Sequence, residues 1–201
     1  MIEELLQFWF GDSFEDGFPK QKDRVDLWFR ATPAHDWEVY RRFHLLTEQA
    51  LRGQLAGWEE TPAGRLALIL LLDQMPRHLF RHSQWAYCGD SAALAQCRAA
   101  LELGQDRQLI ACQRLFLYAP LEHCEDLAVQ EQAVATVERL MAEVPPATAR
   151  RLDYFAHWIR VHYHVIERFG RFPWRNRVLG RQNTPDEAEY LANNPPYLGQ
   201  W

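Results

Sequence analysis

The stretch TPAGRLALILLLDQMPR, residues 61–77, contains the most apolar part of the chain. Thr61 followed by Pro62 predicts a helix start, because threonine caps a first turn and proline suits the first helical position. Seven apolar residues then follow without a break, from Leu66 to Leu72. A helix that is apolar on every side belongs in the centre of a protein, surrounded by other helices. Pro76 predicts its end, since the residue before a proline avoids the α region.

The rest of the chain reads as amphipathic helices, with apolar residues recurring at spacings of three and four. These helices are predicted at about 2–10, 23–29, 33–52, 90–103, 108–118, 125–143, 148–169 and 185–192. Residues 11–19 and 77–89 read as irregular connections, and residues 193–201 as a surface tail. In no segment do apolar and polar residues alternate with a period of two, the pattern of a β-strand. The predicted class is therefore all-α, with antiparallel helical hairpins joined by short turns. Residues 50–54 and 100–106 are weakly similar, since both are helix ends with a small residue, an aliphatic residue and a terminating glycine. This similarity suggests a tetratricopeptide-like superhelical array.

Composition and charge exclude several classes of protein. A chain of 201 residues with 48% hydrophobic and 24% charged residues is predicted to be one globular domain, residues 1–201. The net charge of -5 offers no basic field for nucleic acid.

Targeting and cysteine patterns point to a cytoplasmic protein. The longest apolar run is far below the roughly 20 residues that cross a bilayer, and the acidic N-terminus does not resemble a signal peptide. The four cysteines and eight histidines lack metal-ligand spacing. We therefore predict reduced thiols, no metal, no cofactor and no membrane partner.

Arginine is concentrated near the C-terminus. Residues 150–181 hold eight arginines, no lysine and only two acids. A guanidinium group makes forked contacts to carboxylates and phosphates. The segment 171–181 therefore predicts an anion site, with Arg171 and Arg175 as its leading contacts. The alternative is that these arginines pair with acidic residues of the same chain.

Three sets of ionisable residues are embedded in apolar or structured strings. Asp73 ends the apolar helix with Arg77 four residues later, residues 122–126 read EHCED, and His162 lies on the apolar face of the helix 148–169. Since a buried charge needs a partner, Asp73 predicts either the floor of a cleft or a structural ion pair. Residues 122–126 fit proton transfer or metal ligation, or simply an acidic helix start. His162 fits a hydrogen-bonded core residue as well as a site residue. Helical geometry predicts that His123 points away from Glu122.

Several strings together resemble the bacterial domain-of-unknown-function family 924. They are LLQFWFG (5–11), LLDQMPR (71–77), FLYAPLEH (116–123), FGRFP (169–173), RN (175–176), LGR (179–181) and TP (184–185). The resemblance implies an all-helical, tetratricopeptide-like fold, and it supplies no reaction. The family pattern marks Asp73, Gln74, Pro76, Arg77, Arg81, Glu122, His123, His162, Arg171, Pro173, Arg175 and Asn176. The family has aspartate where this chain has His164 and histidine where it has Trp174, so no catalytic scheme here can use those groups.

We predict a protein that binds a small anionic molecule or an acidic peptide in an arginine-rimmed cleft. Its expected ligand contacts are Arg77, Arg81, His123, Arg171, Arg175 and Asn176. The alternative is a metal-independent enzyme, with hydrolysis as the reaction considered, in which Asp73, Glu122 and His162 act as acid and base. A purely structural interaction module is the third class. Both of the first two functions require these residues to converge although they lie far apart in the sequence.

Overall fold

The computed structural model describes residues 1–193, so the predicted surface tail lies outside the described residues from position 194 onward. The helices are α1 Ile2–Phe10, α2 Lys22–Phe29, α3 Pro33–Leu51, α4 Pro62–Ile69, α5 Met75–Leu79, α6 Asp90–Glu102, α7 Ala111–Glu122, α8 Leu127–Glu143, α9 Pro146–Phe169 and α10 Pro185–Asn193. The all-α class is therefore confirmed. The connection predicted at 11–19 also contains two short antiparallel strands, β1 Phe14–Glu15 and β2 Phe18–Pro19, with Phe14 opposite Pro19. The tetratricopeptide-like array stays a prediction.

The apolar stretch lies in the centre of the protein, as its composition predicts. Every residue from 64 to 78 is buried, and α1, α3, α6 and α7 pack around this segment. Thr61 caps α4 by accepting a hydrogen bond from the Gly64 N–H at 3.1 Å. No helix of residues 1–193 is long and apolar enough to cross a membrane.

Two prolines lie inside helices, so two predicted helix ends are wrong. Between α4 and α5, residues Leu70–Gln74 form a π-helical turn in which the Met75 N–H bonds to the Leu70 carbonyl five residues back. The chain therefore remains helical through Pro76 to Leu79. Likewise Pro120 lies within α7. An interior proline costs about 3 kcal/mol in an isolated helix, and both helices are buried here, so tertiary packing outweighs the local preference.

Helices α7 and α9 run parallel to each other in the C-terminal half of the protein. Helix α8 packs on both α7 and α9 and is joined to each by a short connection, so α7 and α9 run in the same direction. Asp126 caps α8 through the Val129 N–H at 3.0 Å, and Gly170 ends α9 at a positive φ of 68°. The carboxyl ends of α7 and α9 therefore meet at one end of the bundle.

Candidate functional site

Asp73 lies on the π turn with its side chain fully buried. His123 Nδ1 lies 2.8 Å from Asp73 Oδ1, and Gln74 Nε2 donates to Oδ2 at 2.5 Å. A guanidinium nitrogen of Arg77 lies 3.2 Å from Oδ1. Burial alone raises the pKa of Asp73, but the Arg77 charge and the hydrogen bonds from His123 and Gln74 lower it to about 2. Asp73 is therefore a carboxylate that orients the His123 ring.

A second pair of the same type stands beside it. Glu122, the last residue of α7, is hydrogen-bonded through Oε1 to Nδ1 of His162 on α9. Burial raises the pKa of Glu122, yet the interaction with His162 outweighs it and the net shift is downward. The His162 ring is held by Phe172 and Trp174, at centroid distances of 5.3 and 5.7 Å. Trp174 thus packs on the His162 imidazole.

The structure brings Asp73, His123, Glu122 and His162 together, whereas Arg171, predicted to join them, pairs with Glu187. Glu122 and His123 are adjacent in the chain, and each belongs to one of the two carboxylate–imidazole pairs. His123 and Glu122, predicted to point in different directions, bond different partners, and both line the pocket described below. Arg175 adds a hydrogen bond to the His123 carbonyl oxygen at 3.0 Å.

Both imidazoles line a pocket of about 510 Å³. Its polar groups are Gln74, Arg30, Arg81, Glu122, His123 and His162, and its apolar walls are Trp28, Phe29, Ala31, Leu115, Phe116, Ala119, Tyr154, Phe155, Trp158 and Ile159. Nδ1 of each imidazole is bonded to a carboxylate, and within residues 1–193 neither Nε2 has a hydrogen-bond partner. Pockets of this size and composition are typical of small-molecule sites. In the same part of the chain, no group of three or more His, Cys, Asp or Glu is arranged to hold a metal ion.

A buried ionic layer supports the Asp73–His123 pair from behind. Arg77 donates to both oxygens of Asp90, at 2.9 and 3.2 Å, and a guanidinium nitrogen of Arg175 lies 3.5 Å from Asp90 Oδ2. The two guanidinium groups also face the Tyr87 ring, at 5.6 and 4.4 Å from its centroid. Arg77 and Arg175, predicted as ligand contacts, are therefore engaged inside the protein and do not line the pocket.

Arg171 and Arg181 of the C-terminal segment also have partners in the chain. Arg171 makes a forked pair with Glu187 at 2.6 and 2.8 Å, and Arg181 one with Glu125 at 2.6 and 2.9 Å. Asn176 donates to Glu187 at 3.3 Å. The alternative stated for this segment, pairing within the chain, describes these residues. The two ion pairs hold the loop that carries Phe172 and Trp174 against the turn before α8 and against α10.

Arg81 differs from these arginines because it reaches the pocket. It forms a forked pair with Asp36 at 2.6 and 2.7 Å, and His78 Nδ1 lies 2.8 Å from the same carboxylate. Burial raises the pKa of Asp36, but the hydrogen bonds from Arg81 and His78 lower it to about 2.

Sequence reasoning missed the aromatic wall of the pocket. Phe29, Tyr154, Phe155 and Trp158 form this wall, and Phe29 and Tyr154 are 44% and 56% exposed.

Stability is expected to fall in acid because of two carboxylates, the buried Asp73 and the half-buried Asp36. The pKa values of Asp73 and Asp36 are about 2 in the folded protein and 3.8 ordinarily. A depressed pKa contributes stability that is complete above about pH 4 and is lost as the pH falls through 2. Urea unfolding between pH 5 and 2 should show this loss. The free energy of unfolding of Asp36→Asn should fall less steeply with decreasing pH than that of wild type. A wild-type free energy of unfolding that stays constant from pH 4 to 2 contradicts the assignment.

Comparison with known proteins places the chain in a family. Residues 5–195 match the bacterial proteins of unknown function grouped as domain-of-unknown-function family 924, DUF924. A solved structure of a protein of unknown function from Agrobacterium tumefaciens is 32% identical, with a TM-score of 0.77, and the match covers 96% of this chain and 97% of that one. No curated protein matches the sequence. This match over nearly the whole chain, in sequence and in fold, makes the protein a member of the DUF924 family.

Proposed function

We propose that the protein is a hydrolase of small organic esters or amides that works by general acid–base catalysis. One observation carries the proposal: two imidazoles on one pocket each have Nδ1 bonded to a carboxylate, Asp73 for His123 and Glu122 for His162. A carboxylate in this position holds the imidazole in one tautomer and stabilises its protonated form. Nε2 is then the nitrogen that exchanges protons with a substrate.

The two pairs divide the proton transfers between them. One neutral imidazole takes a proton from water while the water oxygen bonds to the substrate carbonyl carbon. The other, protonated imidazole gives its proton to the leaving oxygen or nitrogen as the carbon–heteroatom bond breaks. The products are a carboxylic acid and an alcohol or amine. The proton gained by the first imidazole and that lost by the second are exchanged with solvent.

The experiment compares three histidines. His123→Gln and His162→Gln should each lower kcat/KM for ethyl esters by about 10²-fold to 10⁴-fold, because each removes one proton transfer and an ethoxide leaving group needs the donated proton. His164→Gln is the matched control, since His164 lies on the same helix but is 68% exposed and bonded to Glu167. The wild-type rate should follow a bell-shaped pH profile that each active-site variant loses on one side.

Two outcomes would reject the proposed hydrolase activity. Wild-type turnover no faster than that of free imidazole at equal histidine concentration rejects the hydrolase. Equal rates for His162→Gln and His164→Gln do the same. Circular dichroism of each variant separates loss of catalysis from loss of fold.

Binding of an anion without turnover is the second candidate. It is favoured by Arg30, which lines the pocket, is 78% exposed and lies 3.7 Å from its nearest carboxylate, Asp26. Saturable binding of benzoate or citrate by wild type, weakened by Arg30→Ala and accompanied by no ester turnover, identifies this function.

A further inference from the structure

We infer that the substrate is an elongated ester or amide without a cationic group, whose ring-bearing apolar part lies between α7 and α9, with its carbonyl group beside His123 and His162. This substrate class rests on the hydrolase proposed above. It follows from the way polarity, length and charge are distributed along the pocket.

Polarity changes along both helices in the same direction. On α7 the pocket residues run from Leu115 and Phe116 to Glu122, and on α9 from Tyr154 and Phe155 to His162. The spacing keeps each set on one helix face. Because α7 and α9 run the same way, their apolar ends lie together and so do their polar ends. A ligand that fits both ends has one apolar and one polar end.

The length of the apolar part follows from helix geometry. Leu115 and Glu122 are seven residues apart, which is about 10 Å at roughly 1.5 Å per residue. Tyr154 and His162 are eight residues apart, about 12 Å on the same basis. An acetyl group alone leaves most of the 510 Å³ empty, whereas a phenyl ring on a short chain spans the distance from the apolar mouth to the imidazoles.

Aromatic rings at the apolar end favour a planar group. Phe29 contacts Tyr154 and Phe155, at centroid distances of 6.4 and 5.6 Å, and Tyr154 contacts Trp158 at 6.3 Å. These pairs are tilted or edge-on, the arrangements that present both ring edges and ring faces to an incoming ring.

The charged side chains that line the pocket exclude a substrate whose apolar part carries a positive charge. The one carboxylate among the pocket-lining residues is Glu122, and it is bonded to His162 at the polar end. The charged group near the aromatic end is Arg30, which repels a cation.

The test measures binding separately from turnover. The probe is 6-phenylhexan-2-one, a ketone that carries the ring and the carbonyl group but has no bond to hydrolyse. Calorimetry should show saturable binding at least about tenfold tighter than for butan-2-one, since most of the buried area comes from the ring and chain. Tyr154→Ala should weaken binding about fivefold or more, through loss of the ring contact. Tyr163→Ala is the control: Tyr163 lies on the same helix, hydrogen-bonds Glu167 and does not line the pocket.

Turnover of two esters then separates this inference from the proposed function. Wild type should prefer 4-nitrophenyl 6-phenylhexanoate to 4-nitrophenyl acetate by about tenfold or more in kcat/KM, and Tyr154→Ala should lose that preference. Equal turnover of both esters, with ketone binding unaffected by Tyr154→Ala, overturns the substrate class and leaves the hydrolase standing. Ketone binding that depends on Tyr154, without turnover of either ester, rejects the hydrolase instead.

Discussion

Replacing Asp73 by alanine is expected to lower the free energy of unfolding by about 3–5 kcal/mol, the usual cost of removing one partner of a buried ion pair. Asp73 is the acceptor for His123 and Gln74 and the counter-charge of Arg77, all within the core. Without it Arg77 keeps Asp90, which it already shares with Arg175. A buried guanidinium would then be only partly neutralised.

Two further variants make this result specific. Asp73→Asn keeps an oxygen that can accept from His123, so it should cost less than the alanine variant. Asp23→Ala removes a carboxylate that is paired with Arg24 at the surface, and it should change stability by less than about 1 kcal/mol. Urea unfolding at pH 7 measures all three. If Asp73→Ala lowers the free energy of unfolding no more than Asp23→Ala does, the buried Arg77 does not need the Asp73 carboxylate as its partner.

Gly89→Ala is expected to destabilise the protein by about 3 kcal/mol, at the upper end of the usual overpacking range. A β-carbon at position 89 would lie 2.1 Å from the Leu72 carbonyl oxygen and 2.9 Å from its carbonyl carbon. Backbone therefore has to move, and Leu72 belongs to the π turn that carries Asp73. The same substitution should accordingly reduce the activity proposed for the Asp73–His123 pair.

Gly104→Ala is the matched control for this substitution. Gly104 has a positive φ of 64° with open space around the position of a β-carbon, so alanine there meets conformational strain alone, about 1 kcal/mol. Thermal or urea unfolding of both variants compares the loss of stability from close packing at position 89 with that from backbone strain at position 104. If Gly89→Ala costs no more than Gly104→Ala, close packing against Leu72 is not required at this position.

Helix positions were predictable because their signals are local. Thr61 and Thr184 each precede a proline, and both cap the helices that follow, with Thr184 and Glu187 forming a reciprocal capping box. The helix ends at Pro76 and Pro120 were not predictable from the same signals. Burial of the surrounding helix outweighs the local penalty of proline at both positions, and burial depends on the whole fold.

The residues of the site were recognisable for a similar reason. Asp73, Glu122 and His162 are polar groups in apolar or structured strings, and a polar group cannot be buried there without a partner. The identity of that partner is not encoded locally. His123 is 50 residues from Asp73, and His162 is 40 residues from Glu122.

Periodicity and capping in the sequence therefore specify the helices, the faces they bury and the polar groups that must be satisfied inside. Pairing depends instead on how far each helix is shifted along its neighbours when their side chains interlock. That packing assigns Arg171 to Glu187 and Arg181 to Glu125, where composition suggested an external anion. The same packing aligns α7 with α9, so that two imidazoles and an aromatic wall face one pocket.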